Sequence, residues 1–442
     1  MKTSNEKFAL EQKAKQKYLF MRFKAGLSEL FYDRRKAYIV IAYIFVALIV
    51  WLFRNPLFKL NSNDIFAVGY RAMFGLVYPI YAVGGVLFLI VLFGTPFGSK
   101  GVNDELWRVG LINHAGETPF LTRKHRDRKN PDITIWEFQT NGTPLSKWEK
   151  EREEIESALN INIIKIVQGT DKQRVILHTV SGSRDLPKII YWKDDYLSDK
   201  NFELVLGESL LGRETVNLAE IPHMLLGGAT GSGKSVLLKH LIMQCVKKGA
   251  TVYVADFKGA VDYPAVWHEK CRLVTDEKLL LEILTTIVDI LEERKGLLRI
   301  ADTPNLAEYN KVAGYPLPRI VFACDEIAEI LDKSGLSKEN KELVTKIESK
   351  LSVIARQGRA FGLHLFLSTQ RPDSVILGGQ IRSNLACRIC GRADNILSQI
   401  ILDSADAADR IPKDAQGRFL TNEGVIFQGY LFDESRAFER GG

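Results

Sequence analysis

Eight residues constrain this chain more than any others: Gly228-Ala229-Thr230-Gly231-Ser232-Gly233-Lys234-Ser235, set between a short apolar run and a stretch of helical periodicity. The pattern is GxxxxGK[ST], a P-loop. Its glycines let backbone N–H groups wrap phosphates at a helix N-terminus, where the helix dipole also favours negative charge. Lys234 is placed to reach the β- and γ-phosphates, and Ser235 offers a hydroxyl to Mg2+. The motif needs a strand before it and a helix after it. Residues 223–226 are therefore expected as a strand and residues up to about Lys248 as a helix, with ATP and Mg2+ as the cofactors.

A second element, Ile320-Val321-Phe322-Ala323-Cys324-Asp325-Glu326, is an apolar run ending in two carboxylates. Downstream of a P-loop this reads as a Walker B strand, with Asp325 in the Mg2+ shell and Glu326 polarising the attacking water, since hydrolysis needs a base in line with the γ-phosphate. Gln370 ends the next apolar run, where an amide can bond water and phosphate together. Arg356 and Arg359 leave a predicted helix just before that run and are placed to act as arginine fingers in a neighbouring subunit's site. Two other patterns are excluded. Leu377-Gly378-Gly379-Gln380 looks like a transporter signature but follows the Walker B run instead of preceding it, and Asn310-Lys311-Val312-Ala313 lacks the aspartate of a guanine reader.

From about residue 201 to the end, strand-like runs alternate with helical stretches, the signature of an α/β fold with a mostly parallel sheet. Strands are expected at 223–226, 251–256, 319–325, 364–369 and 386–390. The five cysteines all lie in this half, which fits a reduced compartment. Cys387 and Cys390 form a CxxC, but no second pair follows at zinc-ligand spacing, so they read as core.

The N-terminal region is different. Residues 37–53 and 72–93 are uncharged and apolar, with Pro79 and Gly84-Gly85 in the second run. Both read as transmembrane helices. The first, at about 26 Å of helix, is short for a hydrocarbon core of about 30 Å, and Trp51 and Arg54 extend it as interfacial anchors. A cleaved signal peptide is not expected, because 36 residues precede the first run and no small-residue cleavage site closes it. The net charge of +7 concentrates here: residues 1–36 hold ten Lys/Arg against four Asp/Glu, a surplus of six, which leaves a surplus of one for the rest. The basic excess thus speaks for membrane orientation, with the N-tail and C-terminus both in the cytoplasm.

Between anchor and motor, the cluster Arg123-Lys124-His125-Arg126-Asp127-Arg128-Lys129 reads as a solvated loop close enough to the membrane to meet anionic headgroups. Residues 133–139 alternate like a strand, Ser146 with Glu149 suggests a capping box for a helix to about Leu159, and residues 161–168 and 174–180 read as a strand pair. Four regions result: a basic N-tail at 1–36, two spans with a short external loop at 37–93, a linker and small α+β domain at 94–200, and the motor at 201–442. No internal repeat is apparent.

The ordered blocks IPHMLLGGATGSGKSV (221–236), ACDEIAEI, GRAFGLHLFLSTQRP (358–372) and SNLACRI (383–389), with Gly417-Arg418-Phe419-Leu420, are similar to those of the FtsK/SpoIIIE family. The likeness covers roughly residues 133–432. It implies a hexameric ring of RecA-like domains gripping DNA in a central pore and stepping it with ATP hydrolysis, with Arg359 matching the family's arginine finger. Arg382, in the segment 371–384 after the fourth strand, is the preferred phosphate contact. Gln399 stands where the family carries an arginine ahead of Ile401-Leu402-Asp403. With no winged-helix reader following the motor, the arrangement resembles the FtsK-type coupling proteins of Gram-positive conjugative elements, which implies relaxase and channel proteins as partners. Chromosome segregation and protein export of the type VII kind are the alternative readings, the latter disfavoured by a single P-loop.

Overall fold

The computed structural model describes residues 19–20, 22–27, 29–31, 33–54, 65–94, 99–128, 130–259, 261–370 and 378–439. These form two compact units, Met1–Arg184 and Asp185–Gly442.

In the first unit both apolar runs are helices, Arg34–Leu52 and Ile65–Phe93. Each is apolar around its whole circumference, as a core helix or a membrane span must be. Their apolar windows are only 11% and 6% buried, so these are not core helices wrapped by protein. Tyr43 Oη donates to the Tyr81 carbonyl at 2.6 Å and Tyr78 Oη to the Ala47 carbonyl at 2.7 Å, tying the two together. Residues 22–27 cross the end of the second helix so closely that a Cβ on Gly26 would lie 1.8 Å from the Ile90 oxygen, and one on Gly94 equally close to the Arg22 oxygen.

The rest of this unit is a four-stranded antiparallel sheet: β1 (Phe120–Arg126), β2 (Thr134–Gln139), β3 (Ile161–Gln168) and β4 (Arg174–Ser181), in the order β1-β2-β4-β3. Trp136, Phe138, Trp148, Ile155 and Leu177 fill its core, with the Phe138 and Trp148 rings 5.0 Å apart. Two sequence expectations fail here. The basic cluster is not a loop through its first half: Arg123–Arg126 belong to β1, because buried Phe120 and Leu121 seat the strand and the Lys124 ammonium lies over the Trp136 ring, 3.7 Å from its centroid, in a cation–π contact. Nor do Ser146 and Glu149 form a capping box. Pro144, extended at φ −72° and ψ 154°, is the N-cap of the helix Leu145–Lys150, so Ser146 already lies inside it, and a second helix, Arg152–Leu159, follows after a break at Glu151.

The second unit is one large sheet. Its strands are β5 (Ile190–Tyr191), β6 (Glu203–Ser209), β7 (Gly212–Asn217), β8 (Met224–Gly227), β9 (Thr251–Ala255), β10 (Arg272–Val274), β11 (Ile320–Cys324), β12 (Leu363–Thr369), β13 (Cys387–Cys390), β14 (Arg418–Thr421) and β15 (Ile426–Leu431). The order is β10-β9-β11-β12-β8-β13-β14-β15-β6-β7, with β5 beside β15. From β10 to β13 every pair is parallel, and from β13 to β7 every pair is antiparallel. Side chains alternate between two cores. Leu225, Phe322, Leu365 and Leu367 meet the long helices Glu277–Ile300 and Lys338–Phe361, whereas Met224, Leu226, Val321 and Phe366 meet the P-loop helix Lys234–Lys247. Cys387 and Cys390 fall on opposite sides of this sheet, in different cores, and all five cysteines are free and buried. The short β5, pairing with β15, draws residues ahead of 201 into this unit.

Candidate nucleotide site

Parallel strands deliver their C-terminal ends to one edge of a sheet, and in such folds ligands bind there. Here β8 runs into the P-loop, β11 into Asp325-Glu326 and β12 into Gln370, with β12 between the other two. Strand order thus brings together three motifs that are up to 142 residues apart in sequence. Gly231 at φ +74° and Gly233 at φ +95° take the left-handed conformations that turn the loop into its helix.

The charged groups are buried and paired. Lys234, 3% exposed, donates from Nζ to Asp325 Oδ1 at 2.8 Å, to the Asp325 carbonyl at 2.7 Å and to Ser368 Oγ at 2.6 Å. Ser235 Oγ donates to both Asp325 carboxylate oxygens at 3.0 Å. Burial pushes the Asp325 carboxyl up, but Lys234 and Ser235 outweigh it and hold the group below the usual carboxylate range. Glu326 is gripped differently: Thr369 Oγ1 donates to its Oε1 and the Gln370 amide to its Oε2, each at 2.8 Å, and the Ala328 amide adds a third bond at 3.2 Å. Thr230 Oγ1 donates to Gln370 Oε1 at 2.8 Å, which sets the glutamine side chain against the P-loop.

Ser235 and Asp325 present hard oxygen donors side by side at a phosphate-binding loop, the donor set that suits Mg2+. Arg359 does not join them. It lies exposed in the last turn of Lys338–Phe361, before β12, and the seven residues of that strand place it about 20 Å from the P-loop edge. Arg356 is exposed on the same helix and bonds its own Ser352 carbonyl at 3.2 Å.

Of the segment 371–384, residues 371–377 lie outside the described ones. Arg382 sits in the helix Gly379–Asn384, and its guanidinium is ion-paired with Asp403, which also takes Arg388. One carboxylate thus faces two guanidinium groups, which leaves this cluster with a surplus of one positive charge. Sequence reading also missed three supports of the site. Arg392 accepts from the Ala229 amide through its carbonyl at 2.7 Å and donates to the Thr230 carbonyl at 2.8 Å; the Gly417 amide donates to the Ser232 carbonyl at 2.9 Å; and Ser368 holds Lys234. None carries a motif of its own, although Gly417 opens the Gly417-Arg418-Phe419-Leu420 block. A largely apolar cavity of about 160 Å³ lies against the P-loop helix, lined by Ile190, Gly233, Val236, Leu237, Phe419 and Tyr430 among others.

Sheet order and strand-tip chemistry define an α/β P-loop NTPase. The FtsK/SpoIIIE family matches residues 194–316. The DNA translocase FtsK of Treponema pallidum is 28% identical over 299 residues, which is 63% of this chain and 36% of that protein. Its counterpart in Pseudomonas aeruginosa is 27% identical over 318 residues, covering 63% and 38%. The chain thus spans about a third of the length of these curated relatives. A solved structure of the pCW3 conjugation coupling protein TcpA, in a monomer form with ATPγS, is 33% identical with a TM-score of 0.57, covering 76% of this chain and 96% of that one. The chain belongs to the FtsK/SpoIIIE family of P-loop ATPases.

Proposed function

We propose that this chain is a membrane-anchored, ATP-driven DNA translocase that acts as the coupling protein delivering DNA to a conjugative transfer channel. The observation that carries this reading is the match to the conjugation coupling protein, which extends over 76% of this chain, beyond the family's own segment at 194–316. The outward-facing apolar helices and the basic N-tail support an anchor with both termini in the cytoplasm.

In this mechanism the P-loop amides of residues 228–235 cradle the phosphates and the apolar cavity beside Val236 and Phe419 takes the base. Lys234, held at the strand tips by Asp325 and Ser368, is the cation that answers the phosphate charge. Ser235 and Asp325 would hold Mg2+, which when bound would neutralise phosphate charge. Glu326, fixed by three hydrogen bonds, orients the attacking water and takes its proton, and Gln370 reports the loss of the γ-phosphate to the P-loop through Thr230. Arg359 is too far from its own site to act there, so its guanidinium completes the site of the next subunit in a ring, which a homo-hexamer provides. Relaxase and channel proteins are the further partners of this role.

The test is the polymer that stimulates hydrolysis. The full chain in detergent is expected to hydrolyse ATP faster with single- or double-stranded DNA, and Lys234→Ala to lose that activity down to background. Indifference to both DNAs, with stimulation by a secreted polypeptide, overturns the DNA reading.

A further inference from the structure

We infer that Asp256 is a third carboxylate of this site, holding water in the outer coordination sphere of the Mg2+ bound by Ser235 and Asp325. The inference rests on the reading of the P-loop as a Mg2+-nucleotide site. Strand β9 lies beside β11 with Ala255 opposite Cys324, so Asp256 and Asp325 are each the first residue beyond the tips of neighbouring strands. Their backbones are therefore about 4.8 Å apart.

Asp256 is 6% exposed. One carboxylate oxygen, Oδ1, accepts from the Lys258 amide at 3.1 Å. The other, Oδ2, is buried without a hydrogen-bond partner. A buried carboxylate oxygen with nothing to accept is rare, because it forfeits its hydration for no return. Beside it is a cavity of about 10 Å³ lined by Asp256, Asp325, Glu326, Glu329 and Lys258 among others. That is room for about one water, in a polar setting that suits one.

The charges facing this cavity are unbalanced. Asp256, Asp325, Glu326 and Glu329 stand against Lys258, while Lys234 is engaged with Asp325. Such a cluster calls for cation charge close by. Asp256 and Asp325 both line this one-water cavity, so Asp256 reaches the ion through water. A carboxylate in that position orients the inner ligands and raises metal affinity without touching the nucleotide. No sequence motif marks it, since Ala255-Asp256-Phe257-Lys258 reads simply as a strand end.

The experiment is a Mn2+ titration of the full chain in detergent with ATPγS, with free Mn2+ read by electron paramagnetic resonance. Asp256→Asn, nearly isosteric, is expected to weaken Mn2+ affinity about tenfold or more. Binding of ATPγS in EDTA stays at the wild-type level, and raising Mg2+ restores turnover. Asp256→Ser, smaller and open to an extra water, is expected to show the same weakening with an unchanged melting temperature. Unchanged Mn2+ affinity in both variants overturns the inference. So does an equal loss of ATPγS binding in EDTA, which marks Asp256 as a structural support only. Wild-type protein that binds no Mn2+ with ATPγS sinks the reading of the P-loop site itself, a separate outcome.

Discussion

The two sheets of this molecule use the same kinds of residue for different ends. In the first unit β1 to β4 are all antiparallel, so successive strand ends point to alternate ends of the sheet. Among the described residues its buried polar groups are mostly hydroxyls, Thr140, Thr143 and Thr179 among them, and the one buried charge is Glu29, paired with Lys36 at 2.6 Å and Arg123 at 2.5 Å. The motor sheet is parallel from β10 to β13, and at one edge it gathers Lys234, Asp325, Glu326 and Asp256, all buried. Burying charge costs folding energy unless it is paired. A site that takes on this burden in a concentrated cluster is built for chemistry, whereas the first sheet is built to stand.

Three measurements put that contrast at risk. Arg359→Ala is expected to lower DNA-stimulated ATP turnover about a thousandfold or more, leave melting unchanged, and regain activity when mixed with Lys234→Ala, since each supplies what the other lacks. Failure of the mixture to recover turnover removes the finger from the neighbouring site. In the first unit, Trp148→Ala empties a fully buried position and is expected to destabilise that unit by about 4 kcal/mol by chemical denaturation, without changing basal ATP turnover. A matching loss of turnover erases the division of labour.

The smallest effect is on pH. Burial pushes His223 down to about 4 and His240 down to about 3 in the folded motor. Both folded values lie below the unfolded value of about 6.5, so the unfolded chain takes up protons first as pH falls. The stability they contribute is present above about pH 6.5 and is lost progressively below it, by about 2 kcal/mol each at pH 5. His240→Gln is expected to flatten that slope in a denaturation series, and an unchanged slope refutes the assignment.

How much of this was legible varies with how local the cause is. Strands β8, β9, β11 and β12 appeared within a residue or two of their places, because each is a short apolar run closed by Gly, Asp or Gln. The hairpin β6-β7 was missed, since Glu203, Glu208, Arg213 and Glu214 dilute its apolar signal. Strand β1 was hidden by its own cations, of which Lys124 sits over a tryptophan supplied by β2. The pairing of Arg382 with Asp403, 21 residues away, was not legible either, since it joins two helices that no local pattern links.

By itself the sequence determined what is set within one turn of helix or one strand: the P-loop, the carboxylate pair, the two apolar helices and the parallel half of the sheet. Only the tertiary structure decided what depends on which strands lie side by side. Inserting β12 between β8 and β11 puts Gln370 against Thr230 and Glu326, and laying β9 against β11 sets Asp256 beside Asp325. Those neighbours follow from how a twisted sheet buries both of its faces, a global balance that no single stretch of chain records.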